Sequence, residues 1–214
     1  MPDTIACYQW RGRTLLVMAN EGDFREDDGD RSTAGSLGAT PPLVNLRVSN
    51  TDSSAGNYFA AGARSFSIRD TNGTLIYDSG DILDKEAAAR GVYDDGRSRD
   101  KGVEPEGVAL LELGDRTFAF IGLERTTSGA VAVFDVTNPY AVRFIDMLVT
   151  AGDVAPEGLA VFKRRGNYFL AIANETSKTT TLYQLTSRGD GRDDDRDEDD
   201  RDDDERDGRD GRND

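Results

Sequence analysis

Short apolar runs alternate with polar turns along most of the chain, and no stripe with helical spacing competes with them. The clearest series predicts four strands at residues 108–113, 117–123, 130–136 and 141–149. Gly114-Asp115-Arg116 and Thr137-Asn138-Pro139 are turn signals between these runs. The pattern therefore predicts an antiparallel unit of four strands joined by short connections.

A second pattern shows that this unit is repeated. It opens with a proline followed by an acidic residue, closes with a glutamate, and spans 19 positions from proline to glutamate in every copy. The copies open at Pro2, Pro105 and Pro156 and close at Glu21, Glu124 and Glu175. The interval of 51 residues between the last two copies suits a four-stranded propeller blade.

The repeat predicts an all-β fold, a partial β-propeller of about three four-stranded blades. Blade 1 spans about 1–104, blade 2 about 105–155 and blade 3 about 156–187. Blade 3 is incomplete, because no fourth strand follows its third at Thr179–Leu185. Closed propellers have about four to eight blades. Closure therefore requires further blades from a longer protein or the association of copies; otherwise sheet edges stay open.

Blade 1 is longer than the others because two loops interrupt it. Its third and fourth strands are predicted at Ser65–Asp70 and at residues 74–78, after a loop at 22–62. A second loop at 79–104 leads into blade 2. Loops of this length inside a compact domain are usually functional or disordered.

Acidic charge is concentrated near the C-terminal end. Residues 188–214 contain only Asp, Glu, Arg, Gly and Asn, with 15 acidic and 7 basic side chains, against a net charge of −15 for the chain. Because this segment has nothing apolar to bury, we expect a disordered tail. Its role is either to keep the protein soluble or to bind Ca²⁺ or a mineral surface weakly. We expect no nucleic-acid partner, because so acidic a chain repels phosphates.

Residues that the chain lacks exclude several kinds of chemistry. Without histidine, and with one cysteine, it has no His-based triad, imidazole metal site, histidine haem ligand or internal disulfide. We expect Cys7 to be a buried, inert thiol and expect neither haem nor nucleotide as cofactor. No apolar run is long enough for a membrane span. The N-terminus lacks a signal-peptide pattern, so export requires another route or a signal lost upstream.

In a propeller, both acidic positions of each repeat lie on one face near the central axis, and both long loops reach that face. The candidate metal ligands there are Glu21, Asp23, Glu106, Glu124, Glu157 and Glu175. Carboxylate oxygens suit Ca²⁺ or another hard divalent cation, which takes six to eight oxygen ligands. A structural alternative is that each repeated glutamate accepts hydrogen bonds from backbone amides of its own blade or the next.

Three basic residues of the second long loop are candidates for holding an anionic group. They are Arg97, Arg99 and Lys101. Guanidinium and ammonium groups suit phosphate. Acidic residues lie beside them in the sequence, so pairing with those acids is the simpler interpretation.

A series of separated motifs resembles one known family. The motifs are MANEGD (18–23), GARSFSI (62–68), LIYDSGD (75–81), KGVEPEG (101–107), IGLER (121–125), APEGL (155–159) and ANE (173–175). In this order, over about residues 1–186, they resemble the C-terminal portion of the choice-of-anchor I family, which includes proteins similar to mesenchyme-specific cell-surface glycoproteins. The resemblance implies a secreted or surface-anchored β-propeller. Some relatives carry an alkaline-phosphatase-like label, with no established catalytic residues to carry over.

These observations favour a non-enzymatic extracellular or cell-surface propeller module. Its acidic loop face is expected to bind a protein partner, a surface or a divalent cation. Missing blades supplied by another chain, or a second copy of this chain, are further expected partners. Two alternatives stay open: a metal-dependent phosphoesterase, and a truncated remnant of a larger propeller protein. The expected location is extracellular, periplasmic or cell surface.

Overall fold

Strands joined by tight turns dominate the computed structural model, which describes residues 1–25, 27–62 and 64–186. The predicted disordered tail at 188–214 lies outside these residues. The strands are β1 Ile5–Trp10, β2 Arg13–Asn20, β3 Arg31–Thr33, β4 Arg47–Ser49, β5 Ser65–Asp70, β6 Leu75–Asp78, β7 Pro105–Leu113, β8 Arg116–Leu123, β9 Gly129–Asp135, β10 Arg143–Thr150, β11 Pro156–Arg164, β12 Asn167–Asn174 and β13 Thr179–Leu185.

The strands form successive antiparallel sheets in the order that the repeat predicts. The first sheet has the order β1-β2-β5-β6, the second β7-β8-β9-β10 and the third β11-β12-β13. A two-stranded ribbon, β3–β4, lies within the loop at 22–62. The all-β, partial propeller-like fold is therefore confirmed. Within the described part of the chain, the third sheet has three strands.

Two hydrophobic clusters join the sheets, and both follow from the alternation of side chains along a strand. Leu15, Val17 and Phe66 of the first sheet share one cluster with Ile121 and Phe134 of the second. A second cluster includes Leu111 and Phe120 from the second sheet and Leu170 and Ile172 from the third. The second sheet therefore lies between the other two, and β7 contacts both β2 and β11.

The loop at 79–104 contains an element that the strand pattern does not predict. Helix α1, Ile82–Ala89, buries Leu83 and Ala87, which lie four residues apart on one helical face. Both side chains join the cluster between the first and second sheets. This loop is therefore packed into the fold rather than extended over it.

The predicted burial of Cys7 is wrong, because Cys7 is exposed. The reason is the alternation of β1. Tyr8 is buried, and its hydroxyl donates a hydrogen bond of 2.9 Å to the carbonyl oxygen of Val136. Since Tyr8 faces the second sheet, the neighbouring Cys7 lies on the opposite face of blade 1.

Candidate functional site

The beginning of β7 and the end of β8 bring two predicted glutamates together at one end of blade 2. The strand register pairs Pro105 with Leu123, and it shifts between Pro105 and Val108. Glu106 lies in this irregular start of β7, and Glu124 directly follows the end of β8. The backbone amide of Glu124 donates a hydrogen bond of 3.0 Å to the carbonyl oxygen of Glu104. Main-chain pairing therefore fixes the positions from which these carboxylates extend.

The same main-chain bond recurs in blade 3. The amide of Glu175 donates to the carbonyl oxygen of Ala155 at 2.8 Å. Glu104 and Ala155 each precede the repeated proline, and both have positive φ, 48° and 61°. The repeat thus specifies a backbone turn at each blade entrance, a conformation that non-glycine residues adopt only where surrounding contacts hold it.

Carboxylates from three separate segments converge beside this turn. One oxygen from each of Glu21, Glu104 and Glu106 lies within 4.8 Å of the other two. Glu21 follows β2, Glu104 ends the loop at 79–104, and Glu106 lies in β7. These three residues and Glu124 are called the acidic cluster below.

Glu106 and Glu124 form a carboxyl pair within the acidic cluster. Burial, a hydrogen bond with Glu124 and the negative charges of Glu124, Glu21 and Asp3 raise the pKa of Glu106 from 4.5 to about 9. At neutral pH the pair therefore holds a proton, because two adjacent carboxylates in a poorly solvated position resist ionising together. Glu124 is itself buried.

Three basic side chains pair with the acidic cluster. Lys101 contacts Glu21 and lies 2.8 Å from Oε2 of Glu104, which is also paired with Arg97. Arg125 lies 2.7 Å from Oε1 of Glu124. The side chain of Glu104 is only 1% exposed, so its ion pairs are largely removed from water. With a proton on Glu106, three negative charges face three positive charges.

The structure assembles only part of the predicted metal-ligand set. Glu21, Glu106 and Glu124 lie together, whereas Glu157 and Glu175 are exposed on blade 3. Asp23 lies in a different cleft of about 340 Å³, which is also lined by Asp30 and Asp52.

The three candidate anion-binding residues also separate. Arg97 and Lys101 are engaged by Glu104. Arg99 instead lines a cleft of about 530 Å³ together with Leu43 and Asp95.

Within residues 1–25, 27–62 and 64–186, no backbone amide donates to the side chain of any of the five predicted glutamates. The described contacts of these glutamates therefore differ from the alternative in which each repeated glutamate accepts hydrogen bonds from backbone amides.

Glu104 is the residue of the acidic cluster that the repeat does not single out. Its counterpart in blade 3 is Ala155, so comparing the copies hides it. Two signals in the sequence point to Glu104: it lies three residues after Lys101, and it directly precedes the Pro-Glu-Gly element.

The chemistry of the acidic cluster is that of hard oxygen ligands. Carboxylates of this kind suit Ca²⁺, and a shared proton on Glu106 would compete with any cation for the same oxygens. The adjacent ammonium and guanidinium groups lower the negative potential, so binding would require them to move or to be outweighed by a doubly charged ion.

Comparison with known proteins identifies a family. A family model described as the choice-of-anchor I domain matches residues 1–139. No curated protein matches the chain. Among the residues that the structure describes, no helix is both long and apolar enough to cross a membrane.

Proposed function

Because the chain belongs to the choice-of-anchor I family, we propose that it is a non-enzymatic module of the cell surface or extracellular space. We further propose that its acidic cluster binds a hard divalent cation such as Ca²⁺. Family membership and the all-β fold are compatible with a surface or secreted module. The cation is a proposal that the geometry of the acidic cluster supports.

The observation that carries this proposal is the convergence of Glu21, Glu104 and Glu106. Ca²⁺ binds oxygen at about 2.3–2.6 Å, so two ligands on opposite sides of one ion lie about 5 Å apart. One oxygen from each of the three carboxylates meets this limit, since these three atoms lie within 4.8 Å of one another. Glu124 lies beside them and could supply a further oxygen once Glu106 ionises.

The proton on Glu106 competes with a cation for the acidic cluster. The proton on Glu106 relieves the repulsion within the acidic cluster at neutral pH. A bound divalent cation relieves the same repulsion and stabilises the ionised form of Glu106. Binding should therefore release a proton and become tighter as pH rises towards about 9, the pKa of Glu106.

The phosphoesterase alternative needs basic side chains that are available to hold phosphate. Two of the three candidates, Arg97 and Lys101, are instead paired with the buried Glu104. Binding phosphate there would leave that carboxylate without its partners, at a cost that buried charges rarely tolerate. We therefore propose binding rather than hydrolysis as the role of this site.

Calorimetric titration of the full chain with CaCl₂ tests the cation site. We expect saturable binding with proton release, and a rise in unfolding free energy of about 2.7 kcal/mol when free Ca²⁺ is a hundredfold above its dissociation constant. Glu106→Gln should remove both effects, because the amide supplies a weaker oxygen ligand and cannot ionise.

Glu157→Gln is the matched control, since Glu157 holds the same position in the repeat but is exposed and outside the acidic cluster. It should bind Ca²⁺ as the unsubstituted chain does. Equal loss of binding in both variants, or no Ca²⁺ effect in the unsubstituted chain, would refute the site. Turnover of a phosphate ester that disappears with chelator and with Glu106→Gln would establish the enzymatic alternative.

A further inference from the structure

The sheet of blade 3 presents an apolar face away from blade 2. Alternate residues of this sheet face blade 2, so the remaining ones form the opposite surface. We call this the blade 3 outer face, and its apolar residues are Ala160, Phe162, Phe169, Ala171 and Leu182. Phe162 is 41% exposed and Leu182 58%. Phe162 and Phe169 are cross-strand partners whose rings stack with centroids 5.5 Å apart.

The repeat shows that this surface occupies the position of a blade-to-blade interface. A shift of 51 residues places Phe162, Phe169 and Ala171 on the positions of Leu111, Phe118 and Phe120 in blade 2. Those three residues of blade 2 belong to, or pack on, the hydrophobic cluster shared with blade 3. The blade 3 outer face therefore continues, one blade further, the interface that already joins blades 2 and 3.

The outer face of blade 1 corresponds to the surface with which blade 3 packs on blade 2. This outer face is polar on β5, at Ser67 and Arg69, and apolar on β1 and β2. A shift of 154 residues places the apolar residues Ile5, Cys7, Leu16 and Met18 on the positions of Leu159, Val161, Leu170 and Ile172, the residues with which blade 3 packs on blade 2. Ile5 is 56% exposed and Cys7 is exposed.

A repeated glycine supports the same correspondence at the level of atoms. A Cβ added to Gly107 would lie 2.0 Å from Cδ1 of Leu159, so the absence of a side chain in blade 2 makes room for blade 3. The counterpart in blade 3 is Gly158, where the neighbour within 4 Å is Ala173 of the same sheet, at 3.3 Å. The counterpart of Leu159 is Ile5, which is exposed on blade 1.

We propose that two copies of this chain associate head to tail into a ring of six blades. The blade 3 outer face of each copy packs on the blade 1 outer face of the other, and Ile5 lies over Gly158. Both joints are alike, and the ring closes with twofold symmetry. Six blades fall within the range of about four to eight found in closed propellers.

The molar mass in solution is the first test. Light scattering on the full chain, over a wide range of protein concentration, should show a monomer that converts to twice the chain mass of 23.3 kDa and then stops growing. Alkylation of Cys7 by a maleimide should slow as the dimer forms, because the joint covers this thiol.

Substitutions on the outer faces test which surfaces meet. Phe162→Lys should abolish the dimer, and Gly158→Ala should weaken it, while both leave the monomer folded by circular dichroism. The matched control is Ile145→Lys, at a 46% exposed position on β10, away from both outer faces. This control should dimerise normally.

A charge exchange tests the head-to-tail arrangement. Phe162→Lys and Cys7→Glu should each be monomeric alone, but a mixture of the two should form a mixed dimer with one wild-type joint and one joint of opposite charges.

Arginines also flank both rims, at Arg11 and Arg13 in blade 1 and at Arg164 and Arg165 in blade 3. Because these like charges meet in the ring, added salt should strengthen association.

Four results would overturn the proposal. A monomer at every concentration, with Cys7 alkylated at a constant rate, would show that a second copy does not cover these faces. Growth beyond two copies would indicate an open filament rather than a ring. Dimerisation that survives Phe162→Lys would place the contact elsewhere. Loss of the dimer in Phe162→Lys but not in Cys7→Glu would show that two blade 3 outer faces meet each other, not blade 3 and blade 1.

Discussion

At the residue scale, Glu106 shows how a repeated position acquires a property that its counterpart lacks. Glu106 and Glu157 hold the same place in the repeat, but burial of Glu106, together with its neighbours Glu124, Glu21 and Asp3, raises the pKa of Glu106 to about 9. Glu157 is exposed on blade 3. The same Pro-Glu-Gly sequence therefore gives different chemistry, because the burial and the acidic neighbours of the two glutamates differ.

The raised pKa predicts how stability depends on pH. Between pH 4.5 and about 9 the folded state holds a proton on Glu106 that the unfolded chain has released. The folded state binds more protons, so the unfolding free energy falls as pH rises through this window. The contribution of Glu106 is complete below pH 4.5 and is lost once pH exceeds about 9.

Urea unfolding at a series of pH values, without added metal, measures this slope. Glu106→Gln should flatten it, because glutamine imitates the protonated acid at every pH and can still donate to Glu124. Glu157→Gln should leave the slope unchanged. An identical pH dependence in all three proteins would contradict the raised pKa of Glu106.

The sequence places Glu21, Glu106 and Glu124 on one face, because the repeat fixes where strands begin and end and antiparallel strands bring those ends together; the structure has the three side by side. Sequence reasoning could not locate Glu104, whose role depends on a single loop and not on the repeat. It also placed Cys7 incorrectly. Strand alternation separates Cys7 from Tyr8, but which of the two faces a neighbouring blade depends on how the sheets pack.

At the element scale, the packing of β11 on β7 depends on a close approach of backbones. The absence of a side chain at Gly107 leaves room for Leu159, and the carbonyl oxygen of Glu157 would lie only 2.4 Å from a Cβ at this position. Strand order and most strand limits followed from the sequence. The contact of α1 with the sheets did not, because loop packing is not periodic.

Gly107→Ala should destabilise the fold by about 1–3 kcal/mol, the usual effect of overpacking a tight interface. Gly158→Ala is the matched substitution, since among the described residues its Cβ would meet Ala173 of its own sheet, at 3.3 Å. Chemical unfolding under conditions where both proteins are monomeric compares them. If the two alanine variants lost equal stability, close approach at Gly107 would not be the cause.

At the scale of the whole molecule, the blades pack in sequence order, with blade 2 between blades 1 and 3. Blade 2 shares one hydrophobic cluster with blade 1 and another with blade 3. In such arrays stability is approximately the sum of terms for single units and for the joints between them. The two joints need not break at the same denaturant concentration.

The chain carries its own optical probe for one of these joints. Its single tryptophan, Trp10, meets the ring of Tyr140 edge-on with centroids 5.5 Å apart, which links the first and second blades. Tryptophan emission should therefore change when blades 1 and 2 separate, and should not respond to the unfolding of blade 3. If blade 3 detaches first, circular dichroism will change at lower urea than tryptophan emission; coincident curves would show that the array unfolds as a single cooperative unit.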